Sequence, residues 1–152
     1  NDFADYNDLA DNIEAAKKIA PALEKDIYIR HHTDGGKLKG GTNAEFGIGK
    51  TNVLGDLKTY DSPKNSLKKF FNNAISKCCR QKASYAVLDI SKYQKEDLRM
   101  VIVRALKGEL SGDYHQDIEK VILIRGNKVG SISREEIKSE LFDKLMKDLK
   151  IT

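Results

Sequence analysis

No run of apolar residues in this chain approaches the roughly 18 needed to cross a bilayer, and no charged-then-apolar leader ends in a small-residue cleavage site. A soluble domain is the expectation. Cysteine is scarce as well: Cys78 and Cys79 are adjacent inside a helical pattern, a poor arrangement for a structural disulfide, so a reducing workplace and plain helix packing are expected of them. Without further cysteines at ligand spacing, and with His31, His32 and His115 not completing a set, no zinc pattern is present, and no cofactor is expected. The glycine-rich stretch over residues 35–49 has neither a Walker nor a dinucleotide pattern, which disfavours nucleotide binding. Internal repeats and low-complexity segments are missing too.

What is present has the size and apolar content of one compact domain: 152 residues, 39% hydrophobic and 33% charged. The start at Asn1 rather than methionine fits a module of a longer polypeptide. A net charge of +4 hides an uneven distribution. The first twenty residues are acidic, with Asp2, Asp5, Asp8, Asp11 and Glu14 against Lys17 and Lys18. Between Lys25 and Lys82, basic residues outnumber acidic ones more than two to one, which suggests a polyanionic partner. An N-terminal helical segment at residues 1–24 is therefore set apart from a main domain at 25–152.

Periodicity predicts the elements. Leu9, Ile13, Ala16 and Ala20 recur at helical spacing and halt at Pro21. Ile27, Tyr28 and Ile29 read as a short strand, and residues 45–60 as two strands joined at Lys50-Thr51-Asn52. Asp61-Ser62-Pro63 opens a helix whose apolar face holds Leu67, Phe70, Phe71, Ala74, Ile75 and Cys78. The largely apolar residues 85–90 predict a central strand, followed by a helix that closes at Lys107-Gly108. A second hairpin turns at Gly126-Asn127, and a capping box of Ser133 and Glu136 opens one last helix with Ile137, Leu141, Leu145 and Leu149 inward. The fold class expected is α+β: a mainly antiparallel sheet with helices packed over it.

The densest set of reactive side chains is Asp56-Leu57-Lys58-Thr59, with Glu45 on the preceding strand. Asp56 and Lys58 share one face of their strand, an arrangement that a surface ion pair alone would also explain. Cleaving RNA without a metal needs a base for the 2′-hydroxyl, an acid for the leaving oxygen and cations for the charged phosphorane. His32, Asp56, Lys58 and Thr59 are candidates for that chemistry, with His31 as the alternative to His32. Lys37, Lys39, Lys50, Lys64, Arg125 and Ser131 are candidates for holding substrate. Glu45 followed by Asp56-x-Lys58 also satisfies the acid, then acid-x-lysine pattern of restriction-type nucleases, in which Glu45 and Asp56 would hold magnesium. A binding module without catalysis is the third reading. Ser133 is expected to be a helix cap and His115 a surface histidine.

The run Asn43-Ala44-Glu45-Phe46-Gly47-Ile48-Gly49, then Gly55-Asp56-Leu57-Lys58-Thr59, Ser62-Pro63, and a final strand leading to Gly126-Asn127-Lys128 resembles the nuclease domains grouped as barnase/EndoU/colicin/RelE-like. Such domains occur at the C-termini of contact-dependent growth inhibition proteins. The resemblance covers nearly all of the chain after Ile27 through a loose motif, and it implies a toxin that cuts transfer RNA. Such a toxin is secreted or delivered from the producer's surface, acts in the target cell's cytoplasm, and is blocked at home by an immunity protein. Some members also work with elongation factor Tu. Only Asp56, Lys58 and Thr59 carry over at the matching motif.

Overall fold

The computed structural model describes residues 2–30, 44–51, 53–61 and 65–152. Eleven elements follow one another: α1 (Asp2–Leu23), β1 (Ile27–Ile29), β2 (Phe46–Ile48), β3 (Val53–Thr59), α2 (Leu67–Arg80), β4 (Tyr85–Asp89), α3 (Leu98–Leu110), β5 (Lys120–Arg125), β6 (Lys128–Ser133), α4 (Arg134–Lys138) and α5 (Asp143–Asp148). The strands form one sheet in sequence order. β1-β2-β3 is an antiparallel meander, β3-β4-β5 is parallel, and β6 returns antiparallel to β5. The fold is thus α+β with a mixed, mostly antiparallel sheet, as the periodicity predicts, and the two parallel pairs lie at its centre.

Alternation along the strands splits the core into two layers. Phe46, Ile48, Leu57, Tyr85, Val87, Ile122 and Ile124 pack with Ala15 and Ile19 of α1 on one face. Ala86, Leu88, Val121, Leu123 and Ile132 pack on the other, under α2, α3, α4 and α5. Burying a Leu, Ile or Phe contributes about 1.5–3 kcal/mol, so this double-sided burial explains why β4 and β5 read as continuous apolar runs. Gly55 lets Ile48 close over β3: a Cβ there would stand 2.9 Å from Ile48 Cδ1, the tip of a side chain that would have to shift. The Arg134 guanidinium gathers the loop before β5, with Nε donating to Ile118 O at 3.0 Å and Nη1 to Leu110 O and Gly112 O at 3.1 Å each.

Several boundaries differ from expectation. The helix α1 runs through Pro21 to Leu23, and its buried stripe is Asn12, Ala15 and Ile19, so Leu9 and Ile13 are exposed. Proline this close to a C-terminus removes a single helical hydrogen bond, which the closing bonds Glu24 N→Pro21 O and Lys25 N→Ala20 O offset. α2 starts at Leu67 behind Ser66, whose side chain accepts from Lys69 N at 3.1 Å; residues 62–64 lie outside the described residues. α3 passes through Gly108 to bury Leu110. The last helix is two helices, α4 and α5. The predicted Ser133–Glu136 capping box is present, but Leu141 is 60% exposed and Phe142 takes the inward place.

A common device lies behind these endings. Glu24, Lys82, Glu140 and Lys150 adopt left-handed φ values of 54°, 58°, 57° and 56° just past α1, α2, α4 and α5. Each is followed by the crossed pair of bonds typical of a helix stop, as in Leu141 N→Glu136 O with Glu140 N→Ile137 O. A residue with a Cβ in that region costs about 1–2 kcal/mol, and glycine gives part of it back through its larger unfolded-state entropy. Lys82→Gly is expected to raise stability by about 0.5–1 kcal/mol, and Glu140→Gly by less, because it also gives up the ion pair of Glu140 with Lys107. Urea midpoints read the change, and midpoints lowered in both variants would refute the strain argument.

Candidate active site

The strand β3 is the one on which the sheet changes from antiparallel to parallel pairing, and it carries the site. Leu57 faces α1, so Asp56 and Lys58 face α2. The register Phe46↔Gly55, continued one step, sets Glu45 across from Asp56 on the same face. Glu45 Oε2 accepts from Leu57 N at 2.9 Å, which fixes its carboxylate against β3. The Glu45 backbone oxygen in turn receives Arg30 N at 2.9 Å. Lys58 Nζ stands 3.2 Å from Asp56 Oδ2. The carboxylate of Asp56 is 1% exposed and the lysine side chain 28%, so the lysine is the outward member of the pair.

Lys58 opens onto a hollow of about 220 Å³ whose lining includes Asn65, Phe70, Asn73 and Lys77, with Thr59, Tyr60 and Asp61 at its strand end. The floor is rigid. Tyr60 stacks edge-on with Phe70 at 5.6 Å and with Tyr93 at 5.8 Å, and its hydroxyl donates to Asn65 O at 2.9 Å. Behind Asp56, Cys78 Sγ lies 3.7 Å from the Asp56 backbone oxygen. Burial above all, and then the Asp56 charge, push the Cys78 thiol well above the ordinary thiol range. Cys78 is therefore a packing residue, in line with its expected role, and both cysteines are free thiols.

The candidates named from the sequence divide accordingly. Glu45, Asp56 and Lys58 come together, and Thr59 sits at the rim of the same hollow. His31, His32, Lys37, Lys39 and Lys64 lie outside the described residues. Lys50 is exposed in the β2–β3 turn and lines a different hollow. Arg125 is engaged elsewhere, its Nη1 donating to Leu149 O at 3.0 Å and Lys150 O at 3.1 Å to close α5. Ser131 pairs with Ile122 in register and so faces the α1 side, opposite Asp56 and Lys58. His115 is not a plain surface histidine: Nε2 meets Glu109 Oε2 at 3.0 Å in a half-buried pair at the far end of the parallel strands. Asn65, Asn73 and Lys77 were not foreseen, although the i, i+4 spacing of Asn73 and Lys77 on α2 offered a signal.

Among the described residues, no group of three or more His, Cys, Asp and Glu side chains is gathered as a metal-ligand cluster. Glu45 and Asp56 supply two hard carboxylate donors beside a lysine, a set suited to magnesium, which takes one or two carboxylates and completes its shell with water and substrate phosphate. No protein-family model matches the chain, and no curated protein or solved structure is significantly similar to it.

Two outcomes follow from this geometry. Lys58→Met removes the cation beside a buried carboxylate and is expected to cost about 2–4 kcal/mol at neutral pH, while Lys58→Arg keeps most of that stability. Equal denaturation midpoints for Lys58→Met and the parent would show that the pair contributes nothing. Under native conditions Cys79 is expected to react with iodoacetamide and Cys78 to resist until denaturant is added. Rapid native modification at Cys78, read by peptide mass mapping, contradicts its burial.

Proposed function

We propose that this domain is a nuclease whose phosphodiester-cleaving site is built from Glu45, Asp56 and Lys58, working with a divalent cation. The observation that carries this reading is the meeting of the three on one face of β2 and β3, with Lys58 3.2 Å from Asp56 and Glu45 clamped on Leu57 N at 2.9 Å. Glu45 and Asp56 are the residues that would hold the ion. A divalent cation supplies Lewis-acid charge for the phosphate and an acidified water at neutral pH. Lys58 places an ammonium where negative charge grows on the phosphorane, and Lys77 on the facing helix extends the same cationic field to the flanking phosphate. Asn65 and Asn73 offer neutral donors and acceptors along the hollow.

Transfer RNA is the substrate we propose first, because the basic bias between Lys25 and Lys82 and the motif resemblance both favour a folded polyanion. Delivery into a neighbouring cell and a cognate immunity protein belong to the same proposal, on the strength of that resemblance. Attack by the ribose 2′-hydroxyl without a metal is the competing chemistry, with Thr59 at the rim of the hollow as its one described candidate beyond the Asp56–Lys58 pair.

The test incubates the domain with total transfer RNA and with plasmid DNA, each with magnesium and with EDTA. Cleavage that EDTA abolishes is expected, and Glu45→Gln is expected to lower it by about 100-fold or more. RNA cleavage that survives chelation replaces the metal-assisted site with the 2′-hydroxyl mechanism. A folded Glu45→Gln variant that cuts at the parent rate sinks the site assignment.

A further inference from the structure

Beside the proposed cleavage site, no described helix lies on the same sheet face over β1 and β2. Tyr28, Gly47 and Leu54 stand in one register row across β1, β2 and β3, on the face opposite α1. The next row holds Arg30, Glu45 and Asp56, by the same registers continued. Gly47 has no side chain, so the row dips between Tyr28 and Leu54 and leaves a hollow of about 570 Å³ lined by Tyr28, Arg30, Gly47, Gly49, Lys50 and Leu54. That volume falls in the range of small-ligand sites. Helices α2 and α3 cross over β3, β4 and β5 and, among the described elements, none covers β1 and β2 on this face.

The lining has a definite chemistry. Tyr28 is 51% exposed, a large aromatic that buries little on folding and offers a flat π-face. Arg30 is oriented by the bond from Nη1 to Ala44 O at 3.0 Å and brings its charge to the hollow, while Lys50 stands in the turn at the other end. Asp26, exposed beside the turn where Gly49 N meets its carbonyl at 2.9 Å, and Glu45 are the nearby acids. An aromatic platform between two cations suits a planar base with phosphates on either side.

We propose that this hollow is a subsite for an unpaired nucleotide of a single-stranded nucleic acid, with the base stacked on Tyr28 and its flanking phosphates on Arg30 and Lys50. The substrate class this gives is an unpaired segment, such as a loop or an end, because a base inside a duplex has no face to offer Tyr28. This rests on the nuclease reading of Glu45 and Asp56, one register row away, and Lys58, two rows away, which would receive the neighbouring phosphodiester.

The experiment measures fluorescence anisotropy in EDTA with labelled strands of about 12 nucleotides, one of DNA and one of 2′-O-methyl RNA, and with the matching DNA duplex. Neither single strand can be cut under those conditions by a metal-dependent or a 2′-hydroxyl route. Tyr28→Ala is expected to weaken single-strand binding roughly 5- to 100-fold and to leave duplex binding unchanged, and Tyr28→Phe to bind as the parent does. Lys50→Gln, in an exposed turn, is expected to lower the slope of log Kd against log salt by about 0.7 for single strands. The DNA and RNA arms report which backbone the subsite prefers. A parent protein that binds no single strand, a folded Tyr28→Ala that binds like the parent, or an unchanged salt slope in Lys50→Gln each overturns the subsite. Cleavage that persists with Tyr28-independent binding leaves the nuclease reading standing without it. Tyr28-dependent binding by a protein that cuts neither RNA nor DNA keeps the subsite and removes the nuclease.

Discussion

A carboxylate at 1% exposure in the middle of a sheet is the constraint from which the rest of the molecule can be understood. Moving an ion of that size out of water is expensive, and only a close cation with good geometry offsets it. Lys58, two residues along β3 and on the same face, stands 3.2 Å away and keeps its own head partly in solvent. The strand must then serve two masters. Its other face gives Leu57 to the layer under α1, and Ile48 closes over the bare backbone of Gly55. Asp56 lies between those two positions. The apolar support of the site thus comes from α1 and β2 on one side of the sheet, while the polar opening is toward α2 on the other.

Much of this was legible without coordinates, and the reason is periodicity. The strands β4 and β5 are buried along nearly their whole length, and their hydrophobic patterns have a single consistent reading. The hairpins at residues 49–52 and Gly126-Asn127 carry turn residues with a mechanical reason, including φ values of 72° at Gly49 and 63° at Gly126. Helix ends were less legible. Four of the helices stop at a charged residue in a left-handed conformation, where glycine is the recognisable signal, and the one glycine that looked like a stop, Gly108, lies inside α3. The sequence of α1 misleads by one position for a related reason: Asn12, a polar residue, occupies the buried stripe, and Leu9 and Ile13 are left outside.

The site was legible where spacing alone decides, and obscure where the fold decides. Asp56-x-Lys58 needs nothing but strand alternation to put both groups on one face, and Glu45 follows from the hairpin register. Arg125 and Ser131 looked equally available in one dimension. The register places Ser131 on the wrong face, and Arg125 is drawn to the carbonyls at the end of α5, a segment 24 residues away that no local pattern announces. Asn65, Asn73 and Lys77 join the hollow because α2 crosses directly over the β3–β4 pair, which is a property of the connection and not of those residues.

The chain order also dictates where the open surface must be. A strand-helix-strand connection between parallel neighbours lays its helix over the strands that it joins, so α2 and α3 cover β3, β4 and β5 on one face. Among the described elements that follow, α4 and α5 turn back onto β6 at the opposite edge and leave β1 and β2 uncovered on that face. Among the described elements, the edge of the helix-covered sheet therefore falls along β3, which is where a buried carboxylate can have apolar packing behind it and an approach for substrate beside it. A site placed on β4 would be sealed under α2 and α3. The strand β3 meets both requirements, and it is the strand that carries Asp56 and Lys58.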